Sequence, residues 1–315
     1  MKRFKNVLVV YDDAIGGDDA LSQAVALSQS NGARLTIATV LREAPLPGLA
    51  AEAAKRTERL ADSVRHAGVA TVDCGVLAGV PFEEIIRQVV RHQHDLVIMS
   101  AQAGKTLRDV VFGGAAAQVI RKCPCPVWVI RPGQAIPYQR ILAAIDPAAV
   151  LHDHLNVKIM DLAASLASRD QALLHVVHAW DVEGKDLDTI RSEISSEQRQ
   201  AILRRHESKR RQAVDALLAG YPMGAINHRL HLPRDLPERA IVSLTEREQI
   251  DLIVMGTEGR FGLSGLLLGN AVEAVLRSVE CGILAVKPDH FETPVALPEA
   301  VLTGRGSLES RGWAA

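Results

Sequence analysis

Along most of the chain, short apolar runs rich in Val, Ile, Leu and Ala alternate with longer stretches whose apolar residues recur every three or four positions. Four to eight apolar, β-branched residues bounded by turn signals predict a buried strand, and a three-to-four spacing over ten or more residues predicts an amphipathic helix. In the first half, strands are predicted at 5–12 (KNVLVVYD), 34–41 (RLTIATVL), 69–77 (VATVDCGVL), 95–99 (DLVIM) and 126–130 (PVWVI). Between them, Leu21, Val25 and Leu27 sit at helical spacing in 18–31, and Asn31-Gly32 supplies a stop. A second helix is predicted over 50–67, ending at Gly68. A third runs from Pro81 to about His92, its proline placed where the missing N–H costs nothing. The second half repeats the order, with strands at 140–146 (RILAAID), 172–180 (ALLHVVHAW), 225–232 (AINHRLHL), 251–255 (DLIVM) and 282–286 (GILAV). Its helices are predicted near 152–168, 193–219, 235–248 and 270–279. Strands alternating with helices in this way predict an α/β fold of parallel sheets covered on both faces.

The halves are copies. A shift of 156 residues lays 81–132 on 237–288 without a gap and matches Pro81 with Pro237, Ile85 with Ile241, Asp95 with Asp251, Met99 with Met255, Gly113 with Gly269 and Cys125 with Cys281. A period this long marks a duplicated domain rather than a short solenoid repeat. The predicted organisation is a first domain at 1–132, a linker at 133–139 inside the Pro- and Gly-containing bridge RPGQAIPYQ, a second domain at 140–288 and a tail at 289–315 that lacks a repeat partner. The apolar runs PVWVI and GILAV would be open edges if left uncovered, so they are expected to meet. A further homodimer and a protein partner stay open.

Composition changes this picture little. A length of 315 residues suits two domains, and a net charge of −1 offers no basic field for nucleic acid. The apolar run after the N-terminal MKRFKN is too short for a signal peptide or a membrane span, which makes a cytoplasmic location the expectation. Four cysteines are too few for a disulfide framework, and Cys123-Pro-Cys125 reads as structural rather than metal-binding. The pairs His92/His94, His152/His154 and His228/His231 are read as structural as well, and no metal site is expected. The Arg-rich stretch 199–212 reads as a solvated helix face or a docking surface.

Candidate chemistry sits after the fourth strand of each half. Residues 255–270 (MGTEGRFGLSGLLLGN) run from a buried strand through Gly256, Gly259 and Gly269 into a helix start. Glycine lets backbone turn tightly and approach a ligand, and a helix N-terminus offers free N–H groups to phosphate. Glycines after a strand also serve simple turns. Asp146 ends the first strand of the second half, where ligands of open parallel sheets sit, and can accept from hydroxyls or a base edge. In the first half, Asp12, Gly113 and Gly114 keep their places, but Ser100 and Ala103 replace the first two glycines. Their added Cβ atoms are expected to crowd phosphate, with Lys105 and Arg108 as compensating charges. A Ser–His–Asp arrangement, a metal motif and a general-base pair are all illegible, so rapid catalysis is not expected.

The spacing Gly256-x2-Gly259-x9-Gly269 within an α/β domain ending in a Cys-containing strand resembles the universal stress protein family, over nearly the whole chain and in the tandem, E-type arrangement. The resemblance implies two Rossmann-like domains of the adenine nucleotide alpha hydrolase type, each a five-stranded parallel sheet, paired antiparallel through their last strands as an internal pseudo-dimer. It implies ATP as ligand, with Mg2+ as companion ion. It puts Asp146 and Val176 at the adenosine end, Met255 and Gly256 along base and ribose, and Gly259, Gly269, Asn270 and Ala271 on the phosphates. Asn270 departs from the family's Ser or Thr, losing a hydroxyl but keeping an N-capping side chain. The implied role is a nucleotide-dependent regulator of the stress response. The alternatives are a nucleotide-independent scaffold and a carrier of another small molecule in the first-half cleft.

Overall fold

A computed structural model of the chain describes residues 4–42, 47–101, 114–134, 136–147, 153–182, 189–190, 194–257, 270–289 and 291–297. They form two compact units, one from residues up to 136 together with the stretch beyond 282, the other from 137 to 281.

The first unit begins with β1 (Asn6–Tyr11), α1 (Gly17–Asn31), β2 (Arg34–Leu41), α2 (Pro47–His66) and β3 (Val72–Ala78). It continues with α3 (Pro81–His92), β4 (Leu96–Ser100), α4 (Gly114–Lys122) and β5 (Val127–Ile130). Its strands lie in the order β3-β2-β1-β4-β5, all parallel. The centre of the core is β1, where Val7, Leu8 and Val9 are fully buried. Each such side chain contributes about 1.5–3 kcal/mol. The chain leaves β1 toward β2 and later returns to β4 on the other side, so the order reverses at the carboxyl ends of β1 and β4.

The second unit follows with β6 (Arg140–Ala144), α5 (Asp153–Asp170), β7 (Leu173–Val177), α6 (Ser196–Leu218) and β8 (His228–His231), then α7 (Pro237–Glu248), β9 (Leu252–Gly256) and α8 (Asn270–Ser278). Its parallel order is β9-β6-β7-β8, with β6 in the place of β1. The last strand, β10 (Gly282–Val286), adds to the sheet of the first unit. It pairs antiparallel with β5, Leu284 opposite Trp128, so the two apolar runs meet as expected. The parallel α/β architecture is as expected from the sequence. The third strand of each half starts three residues later than predicted, and β7 ends at Val177 rather than at Trp180.

The duplication reaches into local detail. Both α3 and α7 open on proline and close on a glutamine in the left-handed region, Gln93 at φ 54 and Gln249 at φ 51. At the start of β1 the Asp95 carboxylate accepts from the N–H groups of Lys5 and Asn6. At the start of β6 the Asp251 carboxylate accepts from Gln139 and Arg140. The bridge is held within each unit, Gly133 N–H donating to Asp19 and Tyr138 N–H to Asp170. Beyond β10, Lys287 Nζ donates to Arg121 O and lies 3.9 Å from the Phe291 ring centroid, while Arg87 donates to Ala296 O. This part of the tail therefore folds back on the first unit. In α6 only Val214 and Leu218 are buried, so the Arg-rich stretch is largely solvated.

Candidate functional site

In the second unit, Asp146 lies two residues past the end of β6, between the carboxyl ends of β7 and β9. Asn156 on α5 holds it in place. Asp146 N–H donates to Asn156 Oδ1 at 2.8 Å, and Asn156 Nδ2 donates to Asp146 O at 2.9 Å. Asn156 is buried, so this reciprocal pair orders the Asp146 backbone. The buried His178, just past β7, has Nδ1 3.2 Å from Ile145 O and 3.6 Å from Asp146 Oδ1. Neither Asn156 nor His178 was singled out by sequence, because each meets Asp146 only through the fold.

The other expected site residues divide. Met255 is buried at the end of β9 opposite Ala144. Ala271 stands in the first turn of α8 and Asn270 begins that helix. Val176 is fully buried inside β7, between Ala143 and Leu230, so its side chain belongs to the core. The space left by the missing side chain of Gly256 is occupied by α5: a Cβ there would lie 2.7 Å from Leu155 Cδ2. Gly259 and Gly269 lie outside the described residues, as do Gly113, Ala103, Lys105, Arg108 and His152, and the side chain of Asn270.

The first unit carries an open cleft at the equivalent place, lined by Val10, Val40, Ile85 and Met99 with Asp12 and Ser100. Its walls also take in the start of α4, where a Cβ on Gly114 would meet nothing within 4 Å. Asp12 Oδ1 accepts from Ala14 N–H, which caps the short turn into α1 and fixes the carboxylate. Tyr11, also on the wall, donates to Asp18, and its phenol is pushed up by burial first and by that bond second. Arg42 supplies an exposed cation at the rim. Ser100 turns its hydroxyl onto Gly16 O at 2.6 Å, within the fold, and the cleft stays open beside it.

The histidine pairs resolve as follows. His94 is buried with Nδ1 3.0 Å from Asn6 Oδ1, and burial lowers its pKa to about 4. His231 faces His175 rather than His228, whose Nδ1 meets Ile226 O. Among the described residues there is no group of three or more His, Cys, Asp or Glu arranged to hold a metal. None of the four cysteines forms a disulfide, and Cys123 and Cys125 are in sulfur contact at 3.5 Å.

The sequence profile described as the universal stress protein family matches residues 3–131 and again 137–287. The chain belongs to the universal stress protein family. It is a tandem member, one copy of the family domain in each half. It is 30% identical to universal stress protein E of Escherichia coli strain K12, covering 95% of this chain and 99% of that protein. Identity to universal stress protein E of Photorhabdus laumondii is 27%, covering 94% and 98%. Among solved structures, a functionally unknown protein of Pseudomonas aeruginosa PAO1 superposes with a TM-score of 0.73 at 24% identity over 91% of this chain and 94% of that one. A universal stress protein of Archaeoglobus fulgidus gives 0.61 at 16% identity over 90% and 98%. These structures support the fold. Among the described residues no helix is long and apolar enough to cross a membrane.

Proposed function

We propose that this universal stress protein is a cytoplasmic regulator that binds ATP, or a related adenine nucleotide, in its second unit. Binding biases a conformation or an assembly rather than driving fast chemistry. The observation that carries this reading is Asp146, locked by Asn156 at the strand-order reversal beside the carboxyl end of β9, after which the sequence carries its glycines. A carboxylate fixed there accepts from ribose hydroxyls or a base amine. Gly259, Gly269, Asn270 and Ala271 would offer backbone N–H groups to phosphates, whose charge the α8 N-terminus favours and Mg2+ would share. Equilibrium dialysis of the full chain with labelled ATP should saturate at a single site per chain, and Gly259→Val should abolish it. Saturation indifferent to that substitution would remove the assignment.

A second reading, in which the first unit carries a non-nucleotide small molecule, is favoured by the open cleft with its apolar walls. Native mass spectrometry of the purified chain should then show a bound mass that Ala116→Phe, filling the wall, removes.

A further inference from the structure

The two units make the same contact with its members exchanged. In each, the residue two past the first helix donates its N–H to a carbonyl five positions back, Ala33 to Ser28 and Ala172 to Ala167. Counting back from these residues, Gly17 takes the place of Asn156 and Gly16 that of Leu155. Gly17 N–H donates to Asp12 O at 2.9 Å, just as Asn156 Nδ2 donates to Asp146 O. Ser100 and Gly256, the last residues of β4 and β9, are equivalent by the same repeat. The first unit thus has glycine on the helix side and a side chain on the strand side. The second has a side chain on the helix side and glycine on the strand.

In both, one side chain spans the gap between helix start and strand end. Ser100, 3% exposed, does so by its hydroxyl to Gly16 O at 2.6 Å. Leu155, 5% exposed, does so by packing where a Cβ on Gly256 would stand. A second side chain has no room: a Cβ at 256 would approach Leu155 Cδ2 to 2.7 Å. Contacts that short force a side chain off its rotamer or shift the backbone.

We infer that 16/100 and 155/256 are two versions of one contact between helix start and strand end, although Gly16 itself, at φ +78, leaves its side-chain space to Pro132 rather than to Ser100. Position 256 is glycine on account of Leu155, and Ser100 is a positioning residue. It ties the turn Asp12–Gly17, and with it the cleft residues Asp12 and Ile15, to the end of β4. Putting glycine at 100 removes a tether and repairs no phosphate loop. The inference stands whether or not the second unit takes nucleotide.

The test uses the full chain with Ser100→Gly, Gly256→Ala, Leu155→Ala and the double substitution at 155 and 256. Thermal unfolding, amide exchange and ATP stoichiometry are read for each. Gly256→Ala and Leu155→Ala should each lower Tm, and the double should lose less than the sum; additive losses would overturn the pairing. In Ser100→Gly, exchange should rise at the Ile15 and Gly17 amides, both bonded to Asp12 O, and stay unchanged at Ile145. A rise spread evenly through the chain would overturn the positioning role. Ser100→Gly should gain no ATP site, and a gained site would show that the lost glycine had disabled the first unit. Should the unsubstituted chain take no ATP, the nucleotide proposal falls while these outcomes still decide the pairing.

Discussion

His175 and His231 face each other on neighbouring strands, Nδ1 to Nε2 at 3.0 Å, their rings 5.2 Å apart and within 5° of parallel. A single N–H between two neutral rings serves this contact, and a second proton turns it into repulsion. Burial, then the neighbouring His231, pulls His175 down to about 4; burial also lowers His231, against the opposing pull of Glu248. Well above about pH 6.5 both rings are neutral in the folded and the unfolded chain. As pH falls from there toward 4, the unfolded chain takes up protons first and the fold loses stability. Buried His94 adds to the loss in the same window. Unfolding midpoints measured across this range should fall with pH, and His175→Phe should flatten part of the slope. An unchanged slope in that variant would contradict the pairing's role.

Asn156 holds Asp146 by two hydrogen bonds while itself buried. Asn156→Leu should cost about 2–3 kcal/mol in urea unfolding, since it leaves the Asp146 N–H and carbonyl without their partner. If the nucleotide proposal is right, the same variant should weaken ATP binding about tenfold, for about 1.4 kcal/mol of lost preorganisation. A binding curve superposable on that of the unsubstituted chain would detach Asp146 from the ligand.

The clamps at the opposite ends of the sheets are predicted to matter as much for stability and not for ligand. Asp251 accepts from two successive backbone N–H groups at 2.7 and 2.8 Å. Asp251→Ala should cost about 2–4 kcal/mol, the range for two charge-assisted bonds partly replaced by water. Asp95→Ala should do the same in the first unit. Chemical unfolding followed by circular dichroism measures both, and losses below about 0.5 kcal/mol, the level of an ordinary surface substitution, would count against the clamps.

Cys74 is the least buried cysteine, yet its thiol donates to Glu58 at 2.8 Å and is pushed up to about 12 by burial first and by Glu58 second. Cys125 is raised by the Cys123 contact and then by burial. Alkylation needs thiolate. Iodoacetamide at mildly alkaline pH should leave the native chain unlabelled and modify all four thiols once it is unfolded, as read by intact mass. Labelling of Cys74 in the native chain would contradict its bond to Glu58.

Much of this molecule was legible in the residue pattern because the physics involved is local or periodic. Buried parallel strands must be short and wholly apolar, so KNVLVVYD and DLIVM declared themselves, and a repeat preserving Pro81/Pro237 and Asp95/Asp251 fixed the duplication. The pairing of PVWVI with GILAV followed from the cost of leaving such edges open. What the pattern left open was the reading of single glycines. Glycine reports only that a side chain is absent, and the cause can be a ligand or a neighbour distant in sequence. Ser100 meets Gly16 O across 84 residues of chain. At Gly256 the neighbour is Leu155, which reaches it only once α5 lies on the sheet. The sequence by itself determined the strands, the helices and the duplicated α/β fold, through periodicity and burial. Only the tertiary structure decided which small residues make room for a neighbour, because that depends on which helix start meets which strand end.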